Sequence, residues 1–349
     1  MQVGVNYPWF DYGWDFGLGP PAWRGSRTTP RWCDRIDQHL RHFRELGITV
    51  VRWFILADGL TYGSGELAPS PDPAKPARWR FDPPELGPEF LQHFRELLER
   101  FAAAGADGRP IQLLPVLIDF HFCEPGFTPV EIEEAGDLRE ISIDRGWVKQ
   151  GRADAIVDPS KRARFLDEVL DPLLRASGER PEVIYAWEII NEPDWVTQGW
   201  HPNPFRSLPV PEASMRELLQ EAKERIRRSG FKPTVGFASP RTLRRSGIMA
   251  DINQFHHYPG GAGTLEPHAF DLHFPGILGE FATAATDVWP DLIASGQSVL
   301  NRLKLASARG YPLAMLWSFL ASDRHTSWSP AVEHDVKTFT RAQDQASDV

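Results

Sequence analysis

The chain has 349 residues, 42% of them hydrophobic, and a formal net charge of −9. A chain of this size can bury a substantial core, and its acidity makes a phosphate backbone a poor match, so nucleic acid is excluded as an expected partner. Two cysteines, Cys33 and Cys123, are too few for a disulfide framework and lack zinc-site spacing, while the longest apolar stretch, Leu313 to Ala321, is too short to span a bilayer.

The N-terminus, Met-Gln-Val-Gly-Val-Asn-Tyr, is strand-like and has neither a basic nor an apolar leader region. A cytoplasmic protein is therefore expected, or a secreted one if a leader was trimmed. Val3–Tyr7 reads as the first strand. Asp34–Leu46 places Ile36, Leu40, Phe43 and Leu46 at helical spacing, with Gly47 at the stop. Ile48–Phe54 is the second strand, Glu89–Ala104 the next helix and Ile111–Ile118 the third strand. Asp158-Pro159 is an N-cap with proline at the first helical position, opening a helix that carries Phe165, Leu166, Val169, Leu170 and Leu173. Val183–Ile190 is the fourth strand, and Glu212–Arg228 is a helix ended by Gly230. Thr234–Phe237, Ile252–His256 and Gly276–Gly279 are strands five to seven. Asp291–Ala308 is a helix, Leu313–Phe319 the eighth strand and Pro330–Gln343 a final helix.

About eight β–α units in series give parallel strands with crossover helices, and eight suggest closure into a single (β/α)8 TIM barrel, a mixed α/β fold spanning residues 1–349 as one domain. The rival, an open doubly wound sheet, usually shows a glycine-rich nucleotide turn after its first strand. Gly13, Gly17 and Gly19 are too loosely spaced for one. Long loops follow strands 2 and 3, at Ala57–Pro88 and Asp119–Val157. Both would lie on the C-terminal face of the barrel, where active sites sit.

Trp187-Glu188-Ile189-Ile190-Asn191-Glu192-Pro193 puts a carboxylate directly after an apolar strand, and Ile277-Leu278-Gly279-Glu280-Phe281 ends a second strand the same way. On the fourth and seventh strands of a closed barrel, the two mouths face each other across the axis. A facing pair of carboxyl groups is what glycoside hydrolysis requires: one protonated to donate to the leaving oxygen, one ionised. Thirteen tryptophans and 11% aromatic residues fit a cleft that stacks sugar faces on rings.

In this ordered set the sequence resembles the clan A glycoside hydrolases, and most of all the cellulase/mannanase-type glycoside hydrolase family 5. The resemblance rests on Trp187 to Pro193 and on Leu278 to Phe281. It is extended by Arg52 on the second strand, His121 after the third, His256-His257-Tyr258 on the sixth and Trp317 ending the eighth. It covers nearly the whole barrel. It implies that Glu192 is the acid/base and Glu280 the nucleophile of a retaining β-glycosidase that acts on a β-linked glucan, mannan or smaller glycoside. Arg52 would hold Glu280 ionised, with an ion pair to Glu188 as its structural role. Asn191 would bond the sugar 2-hydroxyl, Tyr258 would orient Glu280, and His121 would contact sugar. His256 matches the His-x-Tyr pattern, but a β-bulge would bring His257 to the pocket instead. Trp317 would floor the cleaved-sugar subsite, with Trp9, Trp14, Trp195 and Trp200 as further platforms. No cofactor and no metal are implied, and a carbohydrate is the expected partner, without nucleic acid or membrane.

Three other readings remain open at this point. A metal-dependent barrel hydrolase would use His121, His256, His257, Asp119 and the glutamates as ligands, although no His-x-His starts such a site on the first strand. A non-catalytic carbohydrate-binding protein would use the same barrel without chemistry. Transglycosylation shares the covalent intermediate with hydrolysis and differs only in the acceptor.

Overall fold

The structure is a computed structural model that describes residues 1–10, 15–16, 29–56, 66–68, 78–80, 86, 88–105, 110–123, 152–201, 208–258, 276–284, 298–320, 326 and 328–347. Eight strands close into a barrel: β1 (Gln2–Asn6), β2 (Ile48–Phe54), β3 (Gln112–Asp119), β4 (Trp187–Asn191), β5 (Pro233–Phe237), β6 (Ile252–His257), β7 (Gly276–Ala282) and β8 (Leu313–Trp317). Each strand pairs in parallel with its neighbours in sequence, and β8 returns to β1. This is the (β/α)8 barrel that the alternating pattern predicts. The strands are apolar almost throughout because one face fills the barrel and the other meets helices.

Besides the single α-helical turn Asp154–Val157, seven helices flank it among the described residues: α1 (Ile36–Glu45), α2 (Pro88–Ala103), α3 (159–177), α4 (Glu212–Arg228), α5 (Pro240–Ser246), α6 (Val299–Ala308) and α7 (Pro330–Ser347). The stretch α3 contains a π-helical turn at Leu166–Leu170 and starts as expected, with the Asp158 carboxylate accepting from the N–H groups of Ser160 and Lys161 ahead of Pro159. Ile36, Leu40 and Phe43 give α1 a buried stripe, and Gly47 ends the turn after it in the left-handed region at φ 78°.

Several boundaries differ from expectation. The fourth strand starts at Trp187, four residues late, because Pro181 opens a 3-10 turn over Pro181–Val183. The seventh runs on to Ala282, so Glu280 lies inside the strand and not after it. The eighth stops at Trp317, and the N–H of Phe319 donates instead to the Asn6 carbonyl. Helix α6 begins at Val299, since Ser298 is extended (ψ 160°) and caps the N–H of Asn301. The two long loops lie largely outside the described residues, apart from a two-stranded antiparallel sheet pairing Glu66–Ala68 with Arg78–Arg80 and the 3-10 turn Phe120–Phe122. No helix among the described residues is long and apolar enough to cross a membrane.

Candidate active site

The chain reverses direction sharply at the mouth of β4. Glu192 adopts φ 44° and ψ 53°, the only left-handed non-glycine residue among those described, and Pro193 then opens the 3-10 turn Pro193–Trp195. A left-handed residue ahead of proline is costly and persists only where surrounding contacts hold it. Here the Glu192 N–H donates to the Gly236 carbonyl on β5, and both carboxyl oxygens are engaged. Oε1 is hydrogen-bonded with His256 Nδ1 at 2.7 Å, and Oε2 accepts from Trp195 Nε1 at 2.7 Å.

Glu280 projects from β7 toward the same point. Its Oε1 accepts from Arg52 Nη1 at 2.5 Å, and its Oε2 accepts from the Tyr258 hydroxyl at 2.6 Å and lies 3.4 Å from His256 Nδ1. One ligand-type atom from each of Glu192, His256 and Glu280 falls within 4.8 Å of the others. By their chemistry these groups could hold a metal ion or exchange a proton between the carboxyl groups and the imidazole.

Beneath the pair the barrel interior is polar. Arg52 is fully buried and all of its N–H groups are used. Nε and Nη2 fork onto Glu188 at 2.7 and 2.6 Å, Nη1 reaches Asn6 Oδ1 at 2.8 Å as well as Glu280, and Nη2 also reaches Asn191 Oδ1 at 2.7 Å. Glu188 is tied further to Gln254 Nε2 at 2.7 Å, and Asn6 Nδ2 holds the carbonyls of Gly279 and Leu316. Gly279 is required here: a Cβ on it would sit 2.6 Å from Gln254 Nε2. The ion pair expected with Glu188 and the contact with Glu280 are thus both present. Burial alone would disfavour the Arg52 cation, but the charges of Glu188 and Glu280 more than offset it and keep the guanidinium charged.

The two carboxyl groups differ in surroundings. Burial first, then the charge of Asp119, pushes Glu192 up to about 7, against the opposing indole N–H of Trp195 and the charge of Arg52. Glu280 is also raised by burial, with His256, Arg52 and the Tyr258 hydroxyl pulling the other way. Burial lowers His256 to about 4, which leaves the imidazole neutral near pH 7. The arrangement can therefore present one carboxyl group able to hold a proton near neutrality beside another anchored by a cation and a phenol.

The β6–β7 register shifts between Phe255 and His256, so Phe255 faces Leu278 while His256 faces Glu280. The irregularity falls on β7, at Gly279. It resolves the histidine choice: His256 lies with the carboxyl groups, and strand alternation puts His257 on the other face. Burial lowers His257 to about 4. His121 stands at the rim, its ring 4.2 Å from that of Phe120 and its Nε2 3.9 Å from Asp119 Oδ2. Trp317, Trp9 and Phe54 form an edge-to-face cluster at the mouths of β8, β1 and β2, with centroids 5.5 to 6.4 Å apart. Trp195 stands beside Phe120 and His201. Trp200 is not a platform: it is 2% exposed and packs on Phe237, because the chain folds it back under the turn. Trp14 lies outside the described residues.

Four contributors escape the motif reading. Asn6 and Gln254 are single polar residues in apolar strands, marked by nothing except that polarity. Asp119 is buried, accepts from Asn191 Nδ2 at 2.8 Å and so fixes that amide. Asp194 is buried two residues after Glu192 and accepts from the Ala238 N–H, and burial together with the Glu192 charge raises it to about 7.

Neither protein-family models nor curated proteins match the sequence. Solved structures do. The β-1,4-D-mannanase of Cryptopygus antarcticus superposes with a TM-score of 0.65 at 16% identity, covering 97% of this chain and 90% of that one. The endo-1,4-β-mannanase of Eisenia fetida gives 0.66 at 18% identity, with the same coverage. The β-mannanase of the blue mussel Mytilus edulis gives 0.64 at 17%, covering 98% and 92%. At these identities the likeness establishes the barrel fold along the full length of the chain.

Proposed function

We propose that this chain is a retaining β-glycosidase of the family 5 type, cleaving β-linked mannan- or glucan-type saccharides by double displacement. The observation that carries the reading is the close approach of two unlike carboxyl groups. Oxygens of Glu192 and Glu280 come within 4.8 Å of each other. Retaining pairs stand about 5–5.5 Å apart, whereas inverting pairs need roughly 6.5–9.5 Å to admit a water.

In this mechanism Glu280 attacks the anomeric carbon while Glu192 protonates the departing oxygen, giving a glycosyl ester on Glu280. Glu192, now ionised, then removes a proton from water as it attacks the same carbon and frees Glu280. Arg52 and Tyr258 hold one oxygen each of Glu280, leaving its orientation little freedom. Asn191 has its carbonyl on Arg52 and one N–H on Asp119, so its second N–H is positioned for a sugar hydroxyl. Trp317 and Trp9 offer apolar faces to a pyranose. Three of the solved structures that share this barrel are β-mannanases, which makes β-1,4-mannan oligosaccharides the first substrates to try.

Proton NMR of the first-formed product is expected to show the β-anomer; an α-product would overturn the role of Glu280. Glu192→Ala should lower kcat/KM by about 10²–10⁴-fold for natural leaving groups and far less for dinitrophenyl glycosides, whose leaving groups need no proton. Equal losses on both would refute the acid assignment.

A further inference from the structure

Glu192 is gripped at both oxygens, and its two neighbours in charge and hydrogen bonding pull in opposite directions. Trp195 is three residues on, and the 3-10 turn that begins after Glu192 carries the indole back so that Nε1 meets Oε2 at 2.7 Å. The same turn is closed by the Trp195 N–H donating to the Glu192 carbonyl at 3.1 Å. An indole N–H can only donate, so it favours the ionised carboxylate over the acid. Asp119, at the end of β3, is buried with its Oδ1 on Asn191 Nδ2 and on the Phe120 N–H, both at 2.8 Å. Asp119 thus pairs with Asn191, the residue directly before Glu192, and its buried charge favours the protonated form of Glu192.

Resting on the glycosidase reading above, we propose that Trp195 and Asp119 are opposed positioning residues that poise Glu192 between acid and base. Trp195 stabilises and aims the base that the second step needs, and Asp119 favours the acid that the first step needs. Trp195 thereby has a hydrogen-bonding task in place of the platform role its ring suggests. The other titratable groups facing Glu192 are Arg52 from β2, His121 beyond β3, His256 from β6, Glu280 from β7 and Asp194 in its own turn. None of them is replaced by the two substitutions that test the idea, and of these groups His121, 3.9 Å from Asp119, also loses a facing charge in Asp119→Asn.

Trp195→Phe keeps the ring and removes the N–H. Asp119→Asn removes the charge and keeps an oxygen for Asn191. The δ-carboxyl carbon of Glu192, labelled with carbon-13 and assigned through Glu192→Gln, can be titrated by NMR without turnover. We expect its midpoint to rise by about half to one unit in Trp195→Phe and to fall by a similar amount in Asp119→Asn. The basic limb of kcat/KM on a β-1,4-mannan oligosaccharide, whose leaving oxygen needs the proton, should move the same two ways. Trp195→His, which restores a ring N–H, should recover part of the shift and separates the loss of the donor from loosening of the turn. Shifts of the same sign in both variants, or none in a folded protein, would overturn the proposal. Wild-type protein that titrates as expected yet cleaves no glycoside would overturn the functional reading instead.

Discussion

Arg52 meets two carboxylates and two amide oxygens with every N–H it has, so no conservative replacement exists for it. Lysine has a single ammonium group and cannot fork onto Glu188 while holding Glu280. Arg52→Met, which removes the cation from its two buried carboxylates, is expected to cost about 3–5 kcal/mol in chemical denaturation, together with most of the activity. Proton occupancy at the two glutamates sets the second residue-scale expectation. In the proposed reaction Glu192 must be protonated at the start, and its midpoint lies at about 7, so kcat/KM should fall as pH rises through neutrality. Glu280 must be ionised, and because it is raised, activity should also decline on the acid side before the ordinary carboxylate range is reached. A bell-shaped profile measured on a β-1,4-linked oligosaccharide, whose leaving oxygen needs a proton, checks both limbs. A plateau extending well above pH 8 would contradict the acid role of Glu192.

Elements carry the parts of this site that were visible in the sequence. Glu192 and Glu280 stand out because each interrupts an apolar strand end, and the strand count puts them on opposite sides of the axis. Arg52, Tyr258 and Trp317 are legible for the same reason, as single exceptions at strand mouths. Asn6 and Gln254 were missed, and Asp119 reads only as a metal ligand, because their role depends on register between strands, which no local pattern contains. The β7 irregularity at Gly279 that selects His256 over His257 is of that kind. Helix ends read from periodicity fail where a cap intervenes, as Ser298 does ahead of α6. Where the turn chemistry is strict, the reading is reliable. Gly47 has φ 78°, and a Cβ there would lie 2.6 Å from Thr340 Cβ. Gly47→Ala should therefore cost about 1–3 kcal/mol, from the left-handed backbone and the clash with α7, and should appear as a lower Tm in calorimetry.

At the scale of the molecule, the two chain ends close the barrel together. Strand β1 pairs with β8, and α7 lies over the seam, with Thr340 Oγ1 on the Leu46 carbonyl at 2.9 Å and the N-terminal amine on Gln343 at 3.2 Å. Its own Val332, Val336 and Phe339 are buried. Burying such side chains contributes about 1.5–3 kcal/mol each, comparable in sum with the roughly 5–15 kcal/mol that holds a whole domain together. Deleting residues 330–349 is expected to abolish cooperative thermal unfolding, followed by circular dichroism; a variant melting like the parent would show that the seam closes without α7. The crowded guanidinium at the centre has one more consequence, for the company the cleft keeps. Glu188 and Glu280 both bind Arg52, which has no donor left over, and the charge of Asp119 acts on Glu192, so the local potential is negative. A uronic acid brought to the central subsite would add repulsion and, among the described residues that line it, find no cationic fork to receive it. Neutral hexoses should be admitted and their C6-oxidised counterparts refused, a preference that competition between a hexoside and the matching hexuronide would expose.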